Sequence, residues 1–357
     1  MQKFRFQATM TKEWLFGKTL AELEELVVSR GYKKFTARQI TDWLYKKQAV
    51  SLNEMTNLSL KMREELSADY EVGHFPPASV QCSKDGTKKY LFPTLSGGYI
   101  ESAYIPDKDR ATLCVSSQVG CKMHCLFCMT GRQGFAAHLS AGEILNQIRS
   151  IPESTSLTNI VYMGMGEPLD NPDNVLKSLE IMTSDWGFAW SPTRITLSSI
   201  GIIPAMKRFI TESKVHLAIS LHSPFDKERL SLMPVQNKYK IADVIAEIKK
   251  HDFSRQRRVS FEYILFKGLN DTPKHAAELG KFLKGLECRI NLIRFHRIPD
   301  SPLSPSDETT IQQFKEAMNK QGIITTVRAS RGEDIFAACG MLSTQAKNKI
   351  NIPVLIK

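Results

Sequence analysis

Cys121-Lys-Met-His-Cys125-Leu-Phe-Cys128 is the stretch on which the reading of this chain turns. It is a C-x3-C-x2-C run with no fourth cysteine nearby. Three thiolates this close can ligate three irons of a 4Fe-4S cube, whose protein ligands are cysteines. The fourth iron is then open to a small molecule with a chelating amino and carboxylate pair, as methionine has. A structural zinc ion ordinarily takes four protein ligands in a closed tetrahedron. His124 offers a fourth ligand, so zinc is the alternative. Phe127, between two of the ligands, suits packing against a cofactor or in the core.

Upstream of this run, residues 89–92, 99–105 and 112–116 read as strands, separated by turn signals at Asp85-Gly86 and Ser96-Gly97-Gly98. Downstream, short apolar strands at 159–163, 194–198, 215–221, 260–265, 289–295 and 323–327 alternate with helical segments at 140–149, 174–183, 241–250, 276–283 and 311–319. Ser140-x-x-Glu143 is a capping box for the first of these helices. Repeated strand–helix units predict a parallel sheet with right-handed crossovers. Six units fall short of a closed eight-fold barrel. The expected fold is therefore α/β, an open partial (βα)6 barrel with its ligands at the carboxyl ends of the strands.

The N-terminal part reads as short helices. Thr19-x-x-Glu22 and Thr36-x-x-Gln39 have the pattern of capping boxes, and a third helix is expected between Asn57 and about Leu66. The organisation expected is a helical accessory domain over 1–75, a β-strand extension over 76–117, the barrel with a C-terminal loop over 118–345, and a tail over 346–357.

Of the 357 residues 42% are hydrophobic, enough for a sizeable core. No apolar run approaches the roughly 20 residues needed to cross a bilayer, and residues 1–12 are polar. A soluble cytoplasmic protein is expected, in which closely spaced cysteines bind metal or react. Cys82 and Cys288 match no motif and are read as structural. Lys and Arg number 48 against 37 Asp and Glu, a formal charge of +11. That excess favours a polyanionic partner. The basic residues are dispersed (Lys33 and Lys34, Lys46 and Lys47, Lys88 and Lys89, and the run at 255–258), and those beside the N-terminal helices suit an RNA-contact module.

The cysteine run, with an aromatic residue before its last Cys, resembles the radical-SAM signature. Gly164-Met-Gly166-Glu167-Pro168 follows a strand and resembles that superfamily's binding turn for S-adenosyl-L-methionine (SAM). Its glycines admit the ligand, and Glu167 can accept hydrogen bonds from the SAM amine. Ser198-Ser199-Ile-Gly201 and Ser220-Leu221-His222 end the next two strands. Longer segments are similar to the RlmN family: Leu113-Cys114-Val-Ser-Ser-Gln-Val-Gly-Cys121, Met163-Gly-Met-Gly-Glu-Pro-Leu-Asp170-Asn171, Arg331-Gly-Glu-Asp334-Ile-Phe-Ala-Ala-Cys339-Gly340, Leu15-Phe16-Gly17 and Ala37-Arg38-Gln39-Ile40. The related Cfr branch, which methylates adenine C8, shares most of them.

The resemblance implies a methyltransferase for adenine C2 in 23S rRNA and tRNA. C2 is electrophilic and cannot attack the methyl of SAM, so the family first places the methyl on a protein cysteine. Cys339 matches that methyl carrier. A second SAM is cleaved reductively, and its 5′-deoxyadenosyl radical takes a hydrogen atom from the methyl group, so two SAM are consumed per methylation. Cys114 matches the cysteine that resolves the RNA adduct by forming a disulfide with Cys339, and Glu101 matches the proton acceptor. The implied cluster ligands are Cys121, Cys125 and Cys128. The implied SAM residues are Gly166, Glu167, Ser198, Ser220, Leu221, His222 and His296, the last standing where many members have Asn. The implied partners are 23S rRNA, tRNA and an electron donor such as flavodoxin or ferredoxin, with the enzyme a monomer.

From the residues alone, other readings stand. Cys114 in an apolar strand reads as packing. Cys339 in Ala-Ala-Cys-Gly reads as part of a tight turn, and Glu101, alternating with Tyr99 and Ala103, as a solvent-facing strand residue. A zinc-stabilised RNA-binding protein would share the charge and the cysteine run.

Overall fold

The computed structural model describes residues 12–253 and 259–344. The basic run at 255–258 and the tail expected over 346–357 lie outside them.

The N-terminal part consists of β1 (Glu13–Trp14), α1 (Leu20–Ser29), α2 (Thr36–Thr41), α3 (Leu60–Asp69) and β2 (Tyr70–Glu71), with β1 and β2 paired in parallel. The Thr19 capping box forms in both directions, Glu22 N–H donating to Thr19 Oγ1 at 3.2 Å and Thr19 N–H to Glu22 Oε2 at 2.8 Å. The second expected box does not form. Phe35 is already helical (φ −59°, ψ −20°), so Thr36 lies within the first turn and no side chain caps it. The stripe of Leu23, Val27, Ile40, Leu44, Met62 and Leu66 is buried in one core with the barrel residues. Arg149 donates to the Gln48 and Ala49 carbonyls, and the Asn146 amide bonds both the N–H and the carbonyl of Phe75. The N-terminal part is thereby fixed to the barrel.

Next come β3 (Ser79–Cys82), β4 (Lys88–Pro93), β5 (Tyr99–Asp107) and β6 (Arg110–Cys114), an antiparallel meander. A small ribbon of β7 (Gln118–Gly120) and β8 (Phe135–His138) brackets the cysteine loop and α4 (Met129–Gln133), and α5 (Ala141–Arg149) follows. The remainder alternates: β9 (Asn159–Tyr162), α6 (Pro172–Thr183), β10 (Ile195–Ser199), α7 (Ile203–Glu212), β11 (His216–Ser220), α8 (Asp226–Leu232), α9 (Ile241–Ile248), β12 (Val259–Leu265), α10 (Pro273–Phe282), β13 (Cys288–Arg294), α11 (Glu308–Lys320) and β14 (Ile324–Val327).

One sheet carries ten of these strands, in the order β14-β13-β12-β11-β10-β9-β6-β5-β4-β3. β6 pairs antiparallel with β5 and parallel with β9, so the strand expected at 112–116 belongs both to the extension and to the parallel run. The sheet ends at β14 and β3, leaving the barrel partial as expected.

The strands alternate cleanly. Ile195, Leu197, Leu217, Ile219, Phe261, Tyr263, Leu265, Ile290 and Leu292 are buried in the main core. The residues between them, including Thr196, Ser198, His216, Ser220, Ser260, Glu262 and Asn291, line the concave side. Parallel strands covered on both faces are usually apolar throughout. A polar inner face marks that side as ligand space.

Candidate active site

The cysteine loop opens where β7 meets β8. Gly120 has φ +78°, and a Cβ there would stand 1.7 Å from the Gly134 carbonyl, so only glycine lets the ribbon close. Cys121, Cys125 and Cys128 all line one cavity over the carboxyl ends of the parallel strands. Burial pushes the Cys121 thiol up to about 12 and the Cys125 thiol well above its ordinary range; neighbouring thiolates add to both shifts. Such thiols ionise only against a strong positive charge, as iron supplies. Among the described residues no three Cys, His, Asp or Glu side chains converge on a point fit for a single ion.

The cavity wall is completed by Gly164, Gly166, Glu167, Ser198, Ile200, Ser220 and His222 among others. Gly166 has φ +98°, and a Cβ there would strike the Gln118 side chain at 2.5 Å. Glu167 is buried. Its carboxylate accepts from Ser199 Oγ at 2.6 Å, Ile200 N–H at 3.0 Å and Leu169 N–H at 3.0 Å. Desolvation outweighs these donors and holds its pKa up at about 7. His222 is kept neutral, its pKa pushed down to about 3 by burial and by the Arg229 charge. Its Nδ1 accepts from Ile264 N–H at 3.0 Å, so the proton sits on Nε2.

Two residues expected in this cavity are not there. Leu221 points outward into the main core, because it alternates with the inward Ser220 and His222, and its carbonyl accepts from Arg229 Nε. His296 lies beyond the end of β13 and lines a neighbouring cavity, with Nδ1 3.2 Å from Glu333 Oε1.

That neighbouring cavity also holds Cys114, Met163, Arg328 and Cys339. Cys339 lines both cavities. It rides on the loop after β14, which is strapped at two ends. Gly332 N–H donates to Asp85 Oδ2 at 2.8 Å, and Lys89 Nζ donates to the Phe336 carbonyl at 3.3 Å. Beyond Cys339, Met129 N–H donates to the Gly340 carbonyl at 2.7 Å and Thr130 Oγ1 to the Leu342 carbonyl at 2.6 Å. Those partners directly follow Cys128, so Cys339 is held against the cysteine loop. Cys114 and Cys339 are both free thiols, and the disulfide named for this pair is not a standing bond. Burial and then the Cys339 charge push the Cys114 thiol up to about 12.

Glu101 is completely buried rather than solvent-facing, because β4 and β6 flank its strand and the Ser343 segment covers it. Its carboxylate lies 3.5 Å from Lys89 Nζ. Cys288 is buried in the core and Cys82 is exposed at the edge strand.

Other site residues had no role assigned from the sequence. Gln118 accepts from Glu167 N–H at 2.9 Å and donates to Asp170 at 2.8 Å, fixing the glycine-rich turn from below. Arg328 lines both cavities, with Nη1 3.7 Å from Glu262 Oε2. Asn291, which had no assigned role, donates to Glu262 Oε1 at 2.8 Å.

A partial barrel with three loop cysteines and a glycine-rich turn on one cavity defines a radical SAM enzyme. Residues 115–280 match the model of the radical SAM superfamily, and residues 14–72 that of the ribosomal RNA large subunit methyltransferase N-terminal domain. A radical SAM methyltransferase from Sphaerobacter thermophilus has a similar structure, with a TM-score of 0.85 and 39% identity, covering 92% of this chain and 98% of that one. The probable dual-specificity RNA methyltransferases RlmN of Parabacteroides distasonis and Bacteroides thetaiotaomicron are 57% and 55% identical, over 94% and 96% of this chain and 98% and 99% of theirs. The dual-specificity RNA methyltransferase RlmN of Syntrophus aciditrophicus is 43% identical over 92% of this chain and 95% of its own. The chain belongs to the RlmN family. Its cofactors are a 4Fe-4S cluster and SAM, and the C8-methylating and zinc-protein alternatives find no support.

Proposed function

We propose that this enzyme methylates C2 of adenosine in 23S rRNA and in tRNA through a methyl group carried on Cys339. The observation that carries this reading is the position of Cys339 on the wall shared by two cavities, with Cys114 in the second.

When bound, the cluster and SAM supply the methyl group and the radical that activates it. Cys121, Cys125 and Cys128 hold the cluster by their thiolates. Glu167, Ser198, Ser220 and His222 offer hydrogen-bonding groups to SAM. Cys339 accepts the methyl through its sulfur and faces the adenine in the second cavity. Glu101, buried beside Ser343 on the same loop, receives the proton that leaves C2. Cys114 attacks the sulfur of Cys339 and breaks its bond to the methylene carbon, which takes a proton and leaves as the methyl group. The odd electron of the adduct returns to the electron carrier, and an external thiol then reduces the transient disulfide.

No helix among the described residues is long and apolar enough to cross a membrane. In this reading the enzyme works in the cytoplasm as a monomer, and flavodoxin or ferredoxin supplies the electron. The organisation is a helical RNA-contact domain over 1–75, the extension over 76–117 and the barrel with its loop over 118–345. The test is anaerobic incubation with SAM, reductant and RNA, followed by nucleoside mass spectrometry. 2-Methyladenosine is expected; 8-methyladenosine or unmodified adenosine would overturn the reading.

A further inference from the structure

Among the described residues the largest side chain with no exposure is a charged one, Arg229 on α8. Its guanidinium donates to the carbonyls of Ile200 at 3.2 Å, Ser220 at 3.1 Å, Leu221 at 3.1 Å and Tyr239 at 3.5 Å, and to the side-chain oxygen of Gln236. Every acceptor is neutral. Among the described residues no carboxylate lies within ion-pair distance; Asp226 acts from beyond Gln236, whose Nε2 donates to it at 2.6 Å. The hydrogen bonds are satisfied, but the charge has no close counterion. A buried cation in that state is costly unless an opposite charge lies nearby.

Position identifies the counterion. The carbonyl of Leu232, at the end of α8, accepts from Leu126 N–H at 2.9 Å, and Leu126 stands between two of the loop cysteines. Leu232 and Met233 pack in one apolar cluster with Cys125 and Phe127. Ile200 and Ser220, whose carbonyls Arg229 holds, line the cavity that contains the three cysteines. Burial lowers the Arg229 pKa to about 10, while Cys125 as thiolate opposes that shift. Apolar packing excludes water between the two groups, so the charge is weakly screened there.

We propose that Arg229 is the built-in counter-charge of the 4Fe-4S cluster and raises its midpoint potential; this rests on the assignment of Cys121, Cys125 and Cys128 as its ligands. A cluster with three thiolates is net negative and gains one further negative charge when an external low-potential donor reduces it. A fixed cation nearby stabilises the reduced form more than the oxidised one, net charge being one of the levers on such potentials. Arg229 is thus a tuning residue that meets neither SAM nor RNA. A purely mechanical clamp on the strand ends would need the fork of donors but not the charge.

The experiment is redox titration of the reconstituted holoenzyme without SAM, followed by electron paramagnetic resonance of the reduced cluster. Arg229→Lys keeps the charge and Arg229→Gln removes it. A double variant, Asp226→Asn with Gln236→Glu, moves a carboxylate onto the guanidinium while leaving the clamp in place. Arg229→Lys should titrate close to the parent. Arg229→Gln and the double variant should show about a tenfold lower ratio of reduced to oxidised cluster at a fixed potential, or 59 mV for one electron. A parent-like potential in the double variant, or an equal fall in the Lys and Gln variants, overturns the proposal. If Arg229→Gln does not fold, the double variant decides by itself. A parent chain that binds no iron overturns the ligand assignment as well, whereas an unmoved potential with an intact cluster overturns only the role of Arg229.

Discussion

Oε2 of Glu101 accepts a hydrogen bond from the backbone N–H of Ser343 at 3.1 Å, and this contact ties β5 to the far end of the loop that carries Cys339. Glu101→Gln keeps an acceptor for Ser343 but cannot take a proton. RNA methylation should fall by about 10²–10⁴, the usual worth of a positioned base. SAM cleavage should stay near the parent value, while thermal stability should fall, because the buried Lys89 ammonium loses the carboxylate charge 3.5 Å away. Single-turnover assays with labelled SAM measure this, and an unchanged RNA methylation rate would leave Glu101 a structural role only.

Alanine variants of the two cysteines should fail differently. Cys339→Ala has no methyl carrier and should form no bond to RNA. Cys114→Ala can still form the adduct but cannot release it, so a protein–RNA conjugate should accumulate. Thiol reductants should not cleave it, because a thioether is not a disulfide. Denaturing gels with labelled RNA read the outcome; normal turnover and no shifted band for Cys114→Ala would refute its resolving role.

The Glu167 carboxyl group should make SAM binding depend on pH. Its folded pKa is held up at about 7 against an ordinary 4.5. Between these values the folded protein therefore keeps a proton that the unfolded chain loses. Its contribution to stability is present below about 4.5 and is lost as pH rises to about 7. SAM binding has the opposite sign: only the carboxylate accepts strongly from the SAM ammonium, so affinity should increase as pH rises through about 7. Glu167→Gln should flatten both profiles. Calorimetry and thermal melts over this range are the measurements.

RNA affinity should depend steeply on salt. Deleting the N-terminal domain would uncover the core it shares with the barrel, so removing charge is the cleaner test. Lys33, Lys34, Lys46 and Lys47 are exposed. Replacing all four by Glu should weaken RNA binding and flatten its salt dependence, since each lost phosphate contact removes about 0.7–0.9 from the log–log slope. Cluster content and SAM cleavage should be unaffected. A salt slope equal to that of the parent would place the phosphate contacts elsewhere.

Local chemistry alone determined much of this protein. The spacing of Cys121, Cys125 and Cys128 selected the cluster, because three thiolates within one loop need no distant partner. Thr19 with Glu22 and Ser140 with Glu143 fixed two helix starts, because a capping box closes within one turn. The family resemblance and their places at strand ends named Ser198, Ser220 and His222, which line the cavity; a strand period applied to Leu221 would have excluded it. The tertiary structure decided whatever depends on groups brought together from far along the chain. Glu101 looks solvent-facing on its own strand, and it is buried because Lys89 and the Ser343 segment, distant in sequence, close over it. His296 lies past the end of β13 and lines the neighbouring cavity, a placement that no period in the sequence registers. Arg229 carries no motif or periodic signal in the sequence. It is buried because its fork gathers carbonyls from the ends of β10 and β11, and those carbonyls converge only when the parallel strands stand side by side.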